Sequence, residues 1–191
     1  NNVFMEFMQY ADGSRAPLPK QNVDTGMGLE RLTAMLQGVK SIYDIDLYQS
    51  IIQRAGALAN VKYGDDTETD RALRVIADHS RAATFLISDG VLPGNEGRSY
   101  VLRRVLRRAI RYGRRLGLDK PFLAEMADVV IGQFGNDYPN LIERRSQILR
   151  VLLHEEETFG RTLNAGMTRF QQEAQALLGA TGDGEERLSV V

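Results

Sequence analysis

The chain has 191 residues, 43% of them hydrophobic and 26% charged, with a formal net charge of −1 and no cysteine. This suits one large or two small domains with a buried core, and it excludes a disordered tail, a collagen-like repeat and a membrane-spanning protein, since no apolar run approaches the ~20 residues that cross a bilayer. It also excludes a disulfide framework, a thiolate nucleophile and a Cys-based zinc site, and two histidines, His79 and His154, leave little for a His-rich metal centre.

The ends are abrupt. Asn1 leads at once into Val3-Phe4-Met5, the chain closes on Leu188-Ser189-Val190-Val191, and no signal peptide is visible, so the sequence reads as a piece of a longer protein. Residues 3–10 are aromatic and branched with partial alternation, which predicts a strand. Ala11-Asp12-Gly13-Ser14 is turn chemistry, Ala16-Pro17-Leu18-Pro19 is extended because proline biases its predecessor away from the helix, and 21–24 can return as a second strand. From Gly28 the period becomes helical: Leu29, Leu32, Met35, Leu36 and Val39 form one stripe, weakened by Gly38. A helix is predicted over 44–58, a polar loop over 62–70, and a further helix over 70–86. A Gly/Pro loop covers 89–98, followed by a strong helix over 99–116 stopped by Gly117 and another over 122–134. A breaker occupies 135–139, helical periodicity runs over 141–178 with weak points at Gly160 and Gly166, and 179–186 reads as loop. The fold class is mainly α, a helical bundle preceded by a short β segment.

Two segments carry chemistry. In Val23-Asp24-Thr25-Gly26-Met27-Gly28-Leu29-Glu30-Arg31, a carboxylate at a strand end precedes two glycines and a helix with an arginine in its first turns. Glycine lets a ligand approach the backbone, a helix N-terminus favours anions, and a guanidinium suits phosphate. The carboxylate could hold an ammonium group or a ribose hydroxyl. The alternative is equally concrete: Asp24 or Thr25 is an ordinary N-cap and Arg31 a surface residue. The segment is neither a Walker loop nor a dinucleotide fingerprint, because the Gly-Lys-Ser/Thr and the third glycine are absent.

The second segment, residues 98–115, holds 8 of the 24 basic residues and no acidic one, so the rest of the chain carries 16 basic against 25 acidic side chains. A near-zero net charge thus conceals a basic element on an acidic body. Leu102, Val105, Leu106, Ala109 and Ile110 would form its buried face. Arg103, Arg107, Arg111 and Arg115 make an i,i+4 row with Arg104 and Arg108 beside it, a stripe suited to a phosphate backbone and to salt-dependent binding. The structural alternative pairs these arginines with Glu155, Glu156 and Glu157. Asn95, in the loop ahead of the helix, offers a paired donor and acceptor that can read a base edge, or it simply forms a turn. His79, alone on its helix, reads as a packed or capping residue rather than a metal ligand.

Taken together, these segments resemble the alanyl-tRNA synthetase family of class II. Val23-Asp24-Thr25-Gly26-Met27-Gly28-Leu29-Glu30-Arg31-Leu32 is similar to that family's motif 3. Asn1-Asn2-Val3-Phe4-Met5, residues 41–47, 74–81, 89–95 and 97–104 follow in the family's order. Asn2 stands where the family has a branched residue.

The resemblance covers residues 1 to about 178 and is carried by the ordered set rather than any single motif. It implies a ligase that forms alanyl-adenylate from ATP and alanine and passes alanine to the 3′ end of tRNA(Ala), in the cytoplasm and away from any membrane. By resemblance, residues 1–40 are the C-terminal part of an antiparallel-sheet catalytic domain, and 41–191 a helical domain that reads a G·U pair in the tRNA acceptor stem. Arg31 would be the catalytic arginine on the ATP phosphates. Asp24 would bind the α-ammonium of alanine, and Gly26 and Gly28 would keep the pocket small and open. Asn95, Arg98, Arg103, Arg104, Arg107, Arg108 and Arg111 would contact the tRNA. ATP would act with Mg2+. No metal site is expected in these residues, zinc belonging to an editing domain outside them. Motifs 1 and 2 and a further acceptor-stem aspartate would also lie outside, so the 191 residues alone are expected not to activate alanine. An RNA-binding helical module without catalysis, and a purely structural bundle with a basic face, are the competing functions.

Overall fold

The computed structural model describes residues 1–180, with side chains to residue 176, and divides into two compact units, Asn1–Gln49 and the chain from Ser50 onward. In the first unit, β1 (Asn2–Gln9) and β2 (Arg15–Thr25) form an antiparallel hairpin, with Asn2 opposite Thr25 and Gln9 opposite Arg15. The segment around Pro17 belongs to β2 itself, because its extended bias fits a strand and a two-stranded sheet tolerates proline on an edge. The register slips between Met5 and Phe7, opposite this proline-bearing stretch. The turn closes through Tyr10 N–H to Ser14 O at 3.0 Å, with Gly13 at φ 84°. Asp12 accepts from the Ser14 N–H at 2.9 Å and hydroxyl at 2.6 Å, which holds its carboxyl below the usual carboxylate range. Helix α1 (Leu29–Leu36) follows, then a single 3₁₀ turn (Ile42–Asp44) in which Tyr43 N–H donates to the Ser41 hydroxyl at 3.2 Å.

The helix predicted over 44–58 is thus replaced at its start by this turn, and α2 spans Asp46–Ala59. In the second unit, α3 (Thr67–Ser88) begins three residues earlier than the periodicity suggests. Asp66 accepts from the Glu68 and Thr69 N–H groups, both at 2.9 Å, so capping chemistry rather than an apolar residue sets the start. Helix α4 (Gly97–Arg115) ends in a left-handed cap: Gly117 sits at φ 82°, and Leu118 N–H reaches back to Gly113 O at 3.0 Å. Helix α5 (Leu123–Phe134) comes next.

The breaker expected at 135–139 is shorter than that, because Pro139 opens a further helix, α6 (Pro139–Glu143), at a position where its absent N–H costs nothing. The single helical stretch expected from 141 is therefore two elements, α6 and the long α7 (Arg145–Ala180), and neither Gly160 nor Gly166 interrupts α7. Gly179 and Ala180 continue that helix, and the rest of the loop expected at 179–186 lies outside the described residues.

Helix α3 packs on α4 and α5, and α7 packs on α5 and α4. The core between them is aliphatic: Leu73, Ile76, Leu102, Leu106, Leu123, Met126, Val130 and Ile148 are wholly buried. Each such side chain contributes about 1.5–3 kcal/mol. Phe85 meets Phe134 and Tyr138 edge-on at 5.6 and 5.0 Å. Arg145 grips Asp128 through two bonds of 2.8 and 2.7 Å, tying α7 to α5. Among the described residues no helix is long and apolar enough to cross a membrane.

Candidate functional site

The sheet-to-helix segment of the first unit carries four of the predicted site residues. Asp24 lies near the end of β2 opposite Val3, and Gly26 N–H is held by Asn1 O at 2.9 Å. The N-cap of α1 is Gly28, at φ −78° and ψ 122°, and no side chain caps the helix. This corrects the reading of Asp24 or Thr25 as an ordinary cap, since both remain within the strand. A Cβ on Gly26 would meet nothing within 4 Å, and one on Gly28 only the Arg31 stem at 3.6 Å. Nothing within the chain therefore requires glycine by crowding there. What the glycines leave is open backbone beside an uncapped helix start, which favours an anion. Asp24 and Arg31 are both exposed.

In the second unit, the arginines of α4 divide into two rows. Arg103, Arg107 and Arg114 are half-buried. Arg107 Nε donates to Glu155 Oε1 on α7 at 3.4 Å and Arg107 lies over the Phe159 ring at 4.9 Å, while Arg103 Nε lies 3.1 Å from the same oxygen as an ion pair without making a hydrogen bond. Arg114 pairs with Asp119 at 3.0 Å. Arg104, Arg108, Arg111 and Arg115 form the other row, spaced i, i+4, i+7 and i+11. They point away from the buried positions Leu102, Leu106, Ala109, Ile110 and Gly113 and are exposed.

Among the described residues, none of these four forms an ion pair. Arg104 lies over Tyr100 at 5.8 Å, while Arg108 and Arg115 lie over Tyr112 at 5.9 and 5.2 Å. A guanidinium stacked on a ring keeps its in-plane donors free for phosphate oxygens. The sequence row joining Arg103, Arg107, Arg111 and Arg115 is thus split by exposure, because α7 covers one side of the helix and not the other.

Asn95 and Arg98 are exposed at the N-terminal end of α4. The loop is tightly built: a Cβ on Gly94 would stand 2.7 Å from Ser99 Cβ. Arg103 reaches out of the helix to this loop, donating through Nη1 to Asn95 Oδ1 and through Nη2 to Pro93 O at 3.5 Å. A groove of about 560 Å³ opens alongside, lined by Leu92, Pro93, Arg103, Arg150, His154 and Glu155 among others.

Two further features went beyond the sequence reading. Among the described residues, Glu156, expected as a partner for the arginines of α4, forms no ion pair with them. Its carboxylate, 4% exposed, accepts from Phe122 N–H at 3.1 Å and Leu123 N–H at 2.9 Å, capping α5 from another helix. Burial pushes its pKa up to about 7, against the pull of those N–H groups and of Arg114. Gly113 is the second: a Cβ there would lie 2.3 Å from the Phe122 ring, so the glycine admits that side chain to the core. The absence of a side-chain cap within α5 could have pointed to Glu156, but only with α7 already placed. His79 is part-buried with Nδ1 2.9 Å from Asp78, and among the described residues no three His, Asp or Glu side chains gather as a metal site.

Known proteins match the chain across both units. The family described as tRNA synthetases class II (A) matches residues 1–188. The alanine–tRNA ligase of Nitratidesulfovibrio vulgaris (strain Hildenborough) is 54% identical over 182 residues, covering 95% of this chain and 21% of that protein. That of Anaeromyxobacter sp. (strain Fw109-5) is 53% identical over 174 residues, covering 91% and 19%. That of Dehalococcoides mccartyi (strain CBDB1) is 45% identical over 186 residues, covering 97% and 21%. The chain spans about one fifth of the length of these relatives.

Proposed function

The chain belongs to the class II (A) tRNA synthetases, and from that premise we propose that its residues serve a cytoplasmic alanine–tRNA ligase, which forms alanyl-adenylate from ATP and alanine and transfers alanine to the 3′ end of tRNA(Ala). Residues 1–40 supply the motif 3 end of the catalytic domain. Arg31 binds the ATP phosphates and offsets charge as pyrophosphate leaves. Asp24 takes the α-ammonium of alanine, and the open backbone at Gly26 and Gly28 admits the nucleotide. The guanidinium and the uncapped helix start fit a polyphosphate. Among the described residues no three His, Asp or Glu side chains gather to hold a metal by themselves, and Mg2+ would reach the site on the ATP phosphates.

Residues 41–191 recognise the acceptor stem. The observation that carries this half is the row Arg104, Arg108 and Arg111, exposed and outside any ion pair among the described residues, on the helix that opens beside Asn95 and Arg98. The row lies along the phosphates, and Asn95 enters the shallow minor groove of A-form RNA at the G·U pair. Arg103 and Arg107, anchored on Glu155, border that surface.

The test is binding of acceptor-stem minihelices carrying G·U or G·C at the recognised pair. The reading expects Asn95→Ala to weaken the G·U complex and to erase the preference. An equal loss on both RNAs would mean that Asn95 shapes the loop without discriminating, and equal binding of both by the unmodified chain would refute acceptor-stem reading by this domain.

A further inference from the structure

An asparagine amide can present either a donor or an acceptor to a base edge, and which one it presents decides what it selects. In this chain the choice is made by a neighbour. Arginine has only donors, so the Asn95 atom facing the Arg103 Nη1 must be the amide oxygen. The amide nitrogen is then the group left over, and among the described residues it has no hydrogen-bond partner on an exposed loop.

Arg103 is itself held by the loop and by an ion pair, although its buried Nε makes no hydrogen bond. Its Nη2 donates to Pro93 O at 3.5 Å, its Nε lies 3.1 Å from Glu155 Oε1, and its side chain is 22% exposed against 7% for Glu155. One guanidinium therefore fastens two residues of the loop to two helices. A half-buried arginine paired with a buried carboxylate is a costly arrangement for a purely structural tie on a surface loop. It is well suited to holding one side chain in one orientation before a ligand arrives.

We propose that Arg103, fixed by Glu155, is a positioning residue that sets the polarity of Asn95, so that the amide meets RNA as a donor and selects a minor-groove acceptor such as a pyrimidine O2. This deepens the acceptor-stem reading above and rests on it. The guanine 2-amino group, itself a donor, is not the atom that Asn95 reads. Lysine cannot replace Arg103, because a single ammonium cannot span Asn95, Pro93 and Glu155 together.

The experiment is a cycle on the 191-residue chain with acceptor-stem minihelices bearing G·U, G·C, or inosine·U, the last lacking only the 2-amino group. In the unmodified chain, Asn95→Ala costs about tenfold in affinity for G·U and the same factor for inosine·U. Asn95→Asp keeps the Arg103 contact as an ion pair but turns an acceptor outward, so it costs at least as much as alanine with no loss of thermal stability. In an Arg103→Lys background, Asn95→Ala costs nothing further, while the salt dependence of binding is unchanged.

The inference is overturned if Asn95→Asp binds G·U like the unmodified chain, if inosine abolishes the Asn95→Ala penalty, or if that penalty survives in full in the Arg103→Lys background. If Arg103→Lys unfolds the domain, the Asn95→Asp and inosine arms still test the donor polarity, and Glu155→Gln, which releases Arg103 without removing it, tests the positioning: the Asn95→Ala penalty should shrink there, and an unchanged penalty overturns the inference. Should Asn95→Ala cost nothing in the unmodified chain, the acceptor-stem reading falls and this inference with it. A penalty there that is indifferent to Arg103 removes only the inference.

Discussion

Glu156 makes the stability of the helical unit depend on pH in an uncommon direction. A carboxylate that accepts backbone N–H groups at a helix start ordinarily titrates low, but Glu156 is buried deeply enough that desolvation wins and its pKa lies at about 7, against an ordinary value of 4.5. A carboxyl raised in the folded state favours folding when protonated. The contribution is therefore complete below the ordinary value and is lost as pH rises through about 7. A shift of this size corresponds to at most about 3 kcal/mol between the two limits.

Glu156→Gln mimics the protonated acid, keeping an oxygen where Phe122 and Leu123 N–H groups converge. Urea unfolding followed by circular dichroism should then give nearly equal stabilities for the two proteins at about pH 5 and a glutamine variant more stable by up to about 3 kcal/mol at about pH 8.5. Taking the difference between the two proteins at each pH cancels the other carboxylates, among them Asp12 and Asp66, whose lowered pKa values work in the opposite sense at acid pH. A difference that stays constant from acid to alkaline pH, or that favours glutamate as pH rises, refutes the argument.

Gly113→Ala should destabilise the bundle by about 1–3 kcal/mol or more, because its Cβ would strike the Phe122 ring within the core; Gly113→Ala combined with Phe122→Leu should recover part of the loss in thermal unfolding. Leu106→Ala, at a wholly buried position, should cost about 2–5 kcal/mol by the same measurement. Replacing Arg104, Arg108 and Arg111 by alanine should leave stability near that of the unmodified chain and reduce the slope of log affinity for an acceptor-stem RNA against log salt by roughly 1 per arginine. An unchanged slope would show that this row does not contact phosphate.

Much of the secondary structure was legible because it is encoded locally. The stripe over Leu102, Leu106, Ala109 and Ile110 repeats at the helical period, and Gly117 ends α4 through a conformation that glycine adopts cheaply. Two of the starts that periodicity misplaced were governed instead by single polar or cyclic residues: Asp66 at α3, and Pro139 at α6. Motif order along the chain made the class II synthetase resemblance legible, and the family match over residues 1–188 agrees with it.

The division of labour among the arginines was not legible. All eight in residues 98–115 carry the same charge, and sequence spacing groups Arg103 with Arg111 as readily as Arg104 with Arg108. Only the arrival of α7, with Glu155 lying 48 residues beyond Arg107, pulls Arg103 and Arg107 into ion pairs and leaves Arg104, Arg108, Arg111 and Arg115 to solvent. The same packing sends Glu156, the next residue along, to the start of α5 instead of to an arginine. The sequence by itself determined that a basic amphipathic helix would form and which side of it would be buried. Tertiary structure decided which of its cations are spent inside the protein and which remain for a ligand, because pairing depends on distance in space, and a helical period reports only on neighbours within a turn or two.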